Sequence, residues 1–299
     1  MTIVITGANG FIGSALFRTL KKKHKVLGID KTGESKPDFM VWNLLWDVPF
    51  YSGEYEKLNK IHGKIDLVIH CANNVGVKSI SENPKFFQEN LRLDEWAINL
   101  QYKEPKIIYI SSSEVYGNNM CCDESDVCKI RDLERGKYAL SKLVGEALVR
   151  ETHKDWVILR PFNITGPGQN TEKGVIPKLI DSALKGQPLH IDPEAQRSFM
   201  HISDFVNGVE KIINNFENYN NSVYNIGSET SISIGELAEM ILKRTKSKSK
   251  IIKIEEKFIR FRCPSEEHFE ITKNIETIIN DTTKHIKHIK HIKKTDRTV

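Results

Sequence analysis

No apolar run in this 299-residue chain approaches the roughly 20 residues that a bilayer-spanning helix needs, so no membrane span is expected. A secretory leader is not expected either, because the run Ile3-Val4-Ile5 is too short for an h-region and meets a glycine turn at once. An excess of one charge sign is also missing. The formal charge is +5, and residues 281–299 hold six Lys or Arg against Asp281 and Asp296, a net of +4. The body, at about +1, offers no basic surface for nucleic acid. Cysteines number five, an odd count that points to free thiols in a reducing cytoplasm. Cys121, Cys122 and Cys128 cluster without a C-x-x-C spacing or a nearby histidine, so no metal site is expected there. Glycine and proline are not in excess, which excludes low-complexity classes and leaves an ordinary globular composition.

What the chain does have is alternation. Short apolar runs at Val4-Ile5-Thr6, 25–29, 66–70, 106–110 and 156–159 are separated by helical patterns at about 11–23, 84–102 and 137–153. The runs are nearly continuous rather than alternating in polarity, as befits strands covered by helices on both faces. This predicts an α/β fold, a doubly wound parallel sheet of the Rossmann type over residues 1–160. After Pro161 the rhythm changes. Helices near 174–186, 203–216 and 233–244, separated by short strands, predict a smaller C-terminal lobe over 161–280, interleaved with the last strands of the sheet. The threefold repeat His285-Ile286-Lys287, His288-Ile289-Lys290, His291-Ile292-Lys293 marks 281–299 as a basic, low-complexity, solvated tail.

Between the first strand and the first helix stands Gly7-Ala8-Asn9-Gly10-Phe11-Ile12-Gly13. Glycines at such a junction let the backbone turn tightly and approach a pyrophosphate seated on the helix N-terminus. Asp30 ends the second strand, where a carboxylate accepts both ribose hydroxyls and repels a 2′-phosphate. NAD is therefore the expected cofactor, with NADP left open by the neighbouring Lys31.

Tyr138 and Lys142 lie four residues apart, on one face of a helix. A tyrosine with a pKa of about 10 is a poor base near neutrality, and an adjacent ammonium makes its phenolate accessible. Upstream, Ser111-Ser112-Ser113-Glu114-Val115-Tyr116-Gly117 leaves the 106–110 strand at its C-terminal end, where open α/β sheets place their active sites. Each element alone is common; the three in this order are specific.

With these motifs the chain resembles the NAD-dependent epimerase/dehydratase family, the extended short-chain dehydrogenase/reductases, over about residues 1–280. Further matching segments are Asp66 to Ala72, Arg160 to Pro167, Gln196 to Phe199 with Asp204, and Tyr224 to Gly227. The resemblance implies a nucleotide-diphosphate sugar as substrate and a catalytic set of Ser112, Tyr138 and Lys142, with Glu114 beside it. It also implies cofactor contacts at Gly7 to Gly13 (Asn9, Phe11 and Ile12 included), Asp30, Asn43, Leu44, Cys71 and Ala72, besides Tyr138 and Lys142. Asn43-Leu44 stands where the family often has an acidic residue followed by an apolar one. Substrate contacts would be Ser112, Ser113, Tyr138 and Asn163, with Arg197 and Arg262 clamping the diphosphate through their bidentate forks. A homodimer through the Tyr138 helix and the preceding one is similarly implied, with apolar positions at Leu140, Val144, Leu148, Leu91, Leu93 and Ile98.

Within the family the reaction stays open. Hydride exchange at sugar C4, with net epimerisation or dehydration, is put first. Glu114 stands where dehydratases and decarboxylases place their carboxylate, although Ser113 replaces the Asp of the dTDP-glucose dehydratases. The segments 160–169 and 262–266 are similar to GDP-4-keto-6-deoxymannose reductases, which makes net reduction the alternative. A non-catalytic NAD(H)-sensing protein is the reading from another class, and the intact Ser112, Tyr138, Lys142 set weighs against it.

Overall fold

A computed structural model describes residues 1–45, 63–75, 83, 85–99, 105–117, 120–126, 128, 133–254 and 263–295. These residues fall into two compact units. The first comprises 1–117, 124–161 and 206–225; the second comprises 118–123, 162–205 and 226–299. Among the described residues no helix is long and apolar enough to cross a membrane.

Seven strands form one sheet: β1 (Thr2–Thr6), β2 (Lys25–Asp30), β3 (Phe39–Val41), β4 (Leu67–His70), β5 (Lys106–Ile110), β6 (Trp156–Pro161) and β7 (Ser222–Ile226). Their spatial order is β7-β6-β5-β4-β1-β2-β3, so the order reverses at β1, beside β4. Pairings of β1 with β2 and β4, β2 with β3, β4 with β5, and β5 with β6 are all parallel. This doubly wound order puts a ligand crevice beyond the carboxyl ends of the strands at the reversal. The central strands are buried along most of their length, which is why they lack polar alternation.

The principal helices are α1 (Phe11–Leu20), α2 (Lys85–Asn99), α3 (Leu133–Thr152), α4 (Val175–Leu184), α5 (Ile202–Asn214), α6 (Ile234–Thr245) and α7 (Ile275–Thr295). In the first unit α2 and α3 pack together over β4 and β5. The core there joins Val4, Val68, Ile107 and Ile158 of the strands to Trp96, Ile98 and Val149 of the helices. Ile98, named above for a helix-pair face, is buried in this core, and Leu93 and Leu148 pack against it; Leu140 is exposed.

In the second unit α4, α6 and α7 enclose a separate core around Ile180, Leu237, Ile241 and Ile279. A capping box fixes the start of α6: Ser233 accepts from the Glu236 backbone, and Glu236 accepts from the Ser233 N–H. The expected tail boundary at 281 is corrected, because α7 runs through it to Thr295. Ile278, Ile279, Thr282, Thr283 and Ile286 are buried, and Lys290 reaches Asp181 of α4 at 2.9 Å.

Candidate active site

The glycine turn has the form a pyrophosphate cradle requires. Gly7 sits at φ +66°, and a Cβ there would meet the Ala72 nitrogen at 2.8 Å. A Cβ at Gly13 would come within 2.1 Å of the Gly7 carbonyl, so the turn closes on backbone alone. Gly10 caps α1 without any side-chain hydrogen bond. The first N–H groups of the helix are thereby left for an anion. Asp30 ends β2, accepting from Asn9 N at 3.0 Å, Thr32 N at 3.0 Å and Thr32 Oγ1 at 2.8 Å. That network ties the carboxylate to the glycine turn, and a carboxylate retains further lone pairs for ribose hydroxyls. These residues fit a dinucleotide. Asn43 and Leu44 are placed differently from one another: Asn43 Oδ1 accepts from Leu45 N at 3.2 Å, and Leu44 is a core residue.

At the end of β5 the chain enters a short 3-10 turn, Ser113–Tyr116, capped by Ser112, whose Oγ accepts from Glu114 N at 3.2 Å. Ser113 is buried, while Ser112 and Glu114 are half-buried. Tyr138 and Lys142, one turn apart on α3, are both buried. Burial pushes the Tyr138 phenol well above its ordinary value; a hydrogen bond to Ser112 works against that shift, and the charges of Glu114 and Asp94 add to it. The phenol is therefore held as a proton donor. Lys142 Nζ donates to the Ile110 carbonyl at 2.8 Å and lies 4.9 Å from the Tyr109 ring centroid. Burial lowers Lys142, and the nearby Asp94 opposes this. Cys71, beside that ammonium, has its thiol pushed up to about 12 by burial and is no nucleophile.

Two buried clusters behind this set were not singled out from the sequence. In the first, the Asp94 carboxylate of α2 is fully buried. It meets His70 Nε2 at 3.0 Å and accepts from Asn73 Nδ2 at 2.9 Å and Tyr109 OH at 3.0 Å. Thr6 Oγ1 accepts from the backbone of Cys71 and Ala72 and lies 2.7 Å from His70 Nδ1. The Thr6 proton therefore goes to Nδ1, which assigns the Nε2–H tautomer and makes His70 the donor to Asp94. Burial lowers His70, so the ring is neutral and Asp94 is the negative charge that faces Lys142.

In the second cluster, Glu146 of α3 accepts from Ser111 Oγ at 2.5 Å, Arg160 Nε at 3.0 Å and Arg160 Nη2 at 2.8 Å. Arg160 also donates to Tyr116 OH at 2.9 Å, and Tyr116 donates to Asn225 Oδ1 at 2.7 Å. The Ser111–Tyr116 stretch is thus gripped at both ends by one guanidinium–carboxylate pair. The available signal is polarity on a buried face: Asn90 and Asp94 stand one helical turn apart in α2, on the side that also carries buried Ala97, and Glu146 stands four residues after Lys142.

In the second unit, Asn163 is exposed at φ +37° and its Nδ2 donates to the Ser198 carbonyl at 3.0 Å. Arg197 lies in the strand Gln196–Ser198, paired antiparallel with Ser231–Ser233, and donates to the Gln196 carbonyl at 2.8 Å. Arg262 lies outside the described residues.

The geometry can be set beside known proteins. The family model that matches is that of the NAD dependent epimerase/dehydratase family, over residues 3–227. The chain is 32% identical over 268 residues to a dTDP-D-glucose 4,6-dehydratase of Dictyostelium discoideum, covering 80% of this chain and 61% of that protein. It therefore spans less than two thirds of that relative's length. It is 31% identical over 266 residues to a UDP-N-acetyl-alpha-D-glucosaminuronate decarboxylase of Bacillus cytotoxicus, covering 84% and 82% of the two chains. A dTDP-4-dehydro-6-deoxy-D-allose reductase of a Streptomyces species is 27% identical over 270 residues, with coverage of 81% and 80%. Among solved structures, the UDP-glucuronic acid 4-epimerase of Bacillus cereus in complex with NAD aligns with a TM-score of 0.79. Its identity is 25%, over 97% of this chain and 99% of that one.

Proposed function

Since this chain belongs to the NAD dependent epimerase/dehydratase family, we propose that it converts a nucleotide-diphosphate sugar by hydride exchange at C4, with net epimerisation or dehydration. The observation that carries this reading is the joining of Tyr138, one helical turn from Lys142, to Ser112 at the end of β5. Residues 7–13 and Asp30 would hold NAD, which when bound accepts the C4 hydride and returns it. Tyr138 Oη handles the proton of the C4 hydroxyl, and Ser112 Oγ hydrogen-bonds the same sugar oxygen. Burial keeps the resting phenol protonated, so it becomes a base only with positive charge close by. Lys142, fixed on the Ile110 carbonyl and facing Asp94, is the protein's contribution to that charge.

Glu114 follows Ser112 by two residues on the same turn. In dehydration it would take the C5 proton made acidic by a C4 ketone; in epimerisation it would have no proton to move. Asn163, Arg197 and Arg262 are proposed to bind the nucleotide and diphosphate. A homodimer through α2 and α3, in the cytoplasm, completes the reading, and exposed Leu140 supplies one apolar position for it.

The test is an NMR time course of the protein with NAD and a panel of UDP-, GDP- and dTDP-sugars, without added reductant. Conversion of one sugar is expected, with inverted C4 or a 4-keto-6-deoxy product. A Tyr138→Phe variant should lose on the order of 100- to 10,000-fold in turnover with its fold intact. Full turnover in that variant would overturn the mechanism. Likeness to a 4-dehydro-sugar reductase favours a second reading, net reduction. That reading gains if the panel is silent and the corresponding 4-keto sugars are consumed with NADH.

A further inference from the structure

In the second unit, Cys121–Cys122 pairs parallel with Cys263–Pro264, with Cys121 and Cys263 directly in register. The pairing is fixed on both sides by backbone bonds, Cys263 N to the Met120 carbonyl at 3.0 Å and Ser265 N to the Cys122 carbonyl at 2.9 Å. Neighbouring strands lie about 4.8 Å apart, inside the roughly 4.4–6.8 Å Cα separation that a disulfide spans. In-register partners also point to the same face, and the Cys121 thiol lies near enough to raise the pKa of the Cys263 thiol. Cys122 alternates to the opposite face, where it is buried with its Sγ 3.9 Å from the Met120 carbonyl.

We propose that Cys121 and Cys263 are a thiol-oxidation site, which a hydroperoxide converts to a reversible intramolecular disulfide. The two thiols differ in access: Cys121 is exposed and Cys263 is buried. Cys121 therefore meets the oxidant. Its thiolate displaces hydroxide from hydrogen peroxide to give a sulfenic acid, and the Cys263 sulfur then displaces water from that acid to form the S–S bond. Two thiols and one peroxide give one disulfide and two waters. Cys263 is suited only to the second step, because burial and the neighbouring Cys121 push its thiol up to about 11. The in-register placement of the two cysteines offsets the small thiolate fraction there. In sequence, Cys121 stands nine residues after Ser112, and Cys263 directly follows Arg262. The bridge would tie together the segments leaving the proposed catalytic serine and the proposed clamp arginine. The chemistry itself rests on no reading of the activity.

The test treats the 299-residue chain with excess hydrogen peroxide, denatures it in a thiol-blocking reagent, and maps its peptides without reductant. The expected result is a Cys121–Cys263 cross-linked peptide, a fall of two in the titratable thiols, and full reversal by dithiothreitol. Cys121→Ser should abolish the cross-link and leave Cys263 reduced; being an exposed change it carries the test even where Cys263→Ser fails to fold. The proposal is overturned by a Cys121 bridge to Cys122 or Cys128, a bridge between two chains, stable sulfinic acid on wild-type Cys121, or no oxidation at all.

Discussion

Removing Glu146 should damage the first unit more than any surface change, for a reason that can be put in numbers. Its carboxylate is 2% exposed, Arg160 is 3% exposed, and two hydrogen bonds of 3.0 and 2.8 Å join them. Burial would lower Arg160, but Glu146 outweighs it and holds the guanidinium above its ordinary value. Glu146→Ala leaves that cation buried, with the Tyr116 hydroxyl as its remaining buried side-chain hydrogen bond. Removing one partner of a buried pair costs about 3–5 kcal/mol. At about 2–4 °C per kcal/mol for a chain of this order of size, the melting temperature should fall by roughly 10 °C. The assay is urea unfolding followed by far-UV circular dichroism. The decisive control is Glu146→Leu with Arg160→Met, which removes both charges. Because desolvating the pair offsets much of its attraction, the double variant should be more stable than Glu146→Ala alone. Two results would refute this account: a loss under about 1 kcal/mol for Glu146→Ala, or a double variant as unstable as the sum of the singles.

Gly145→Ala on α3 would place a Cβ 2.1 Å from Tyr109 Oη and 2.6 Å from Asp94 Oδ2. Overpacking of about 1–3 kcal/mol, with the strained Tyr109–Asp94 bond, should outweigh the roughly 1 kcal/mol helix-propensity gain. A lowered thermal midpoint, partly restored by Tyr109→Phe, is expected; a raised one would show that α3 shifts freely. Burial lowers His70, His153 and His201 below the ordinary 6.5, so the folded state keeps them neutral. Below pH 6.5 the unfolded chain binds more protons, so stability falls with pH, by up to about 1.4 kcal/mol per unit for each histidine. Equal urea midpoints at pH 7.5 and 5.5 would contradict this. Burial would raise Asp181, but Lys185 and Lys290 outweigh it and lower its pKa from 3.8. Its contribution is present above that value and lost as the pH falls through the folded one. The pairs are part-exposed and weak, so Asp181→Asn should leave global stability unchanged while speeding hydrogen exchange in the last turns of α7.

The sheet was legible because β1, β2, β4, β5 and β6 each coincide with a continuous apolar run, and a glycine turn follows the first of them. The three-residue β3 has too little sequence for a pattern to show. The tail misled for a geometric reason. His-Ile-Lys repeats every three residues, whereas a helix turns every 3.6, so each successive isoleucine lags by about 60°. Ile286 accordingly belongs to the core at 4% exposure, while Ile289 and Ile292 rotate out to 38% and 46%. A composition that reads as low complexity is thus a helix whose apolar stripe leaves its partner surface gradually.

The candidate site divides along a different line. Ser112, Tyr138 and Lys142 are legible because their spacing within one helix and at one strand end fixes their direction. Asp94 and Glu146 are silent in one dimension, since an acidic residue in an amphipathic helix is ordinarily a solvated one. What makes them exceptional is the set of donors that meets them from other elements. For Asp94 these are His70 on β4, Asn73 beyond it and Tyr109 on β5; for Glu146 they are Ser111 and Arg160. A buried carboxylate survives only with such donors in place. Its function follows from the same fact. With His70 neutral, the charge of Asp94 is balanced chiefly by Lys142, so the burial that threatens to deprotonate the lysine is opposed by a carboxylate buried beside it.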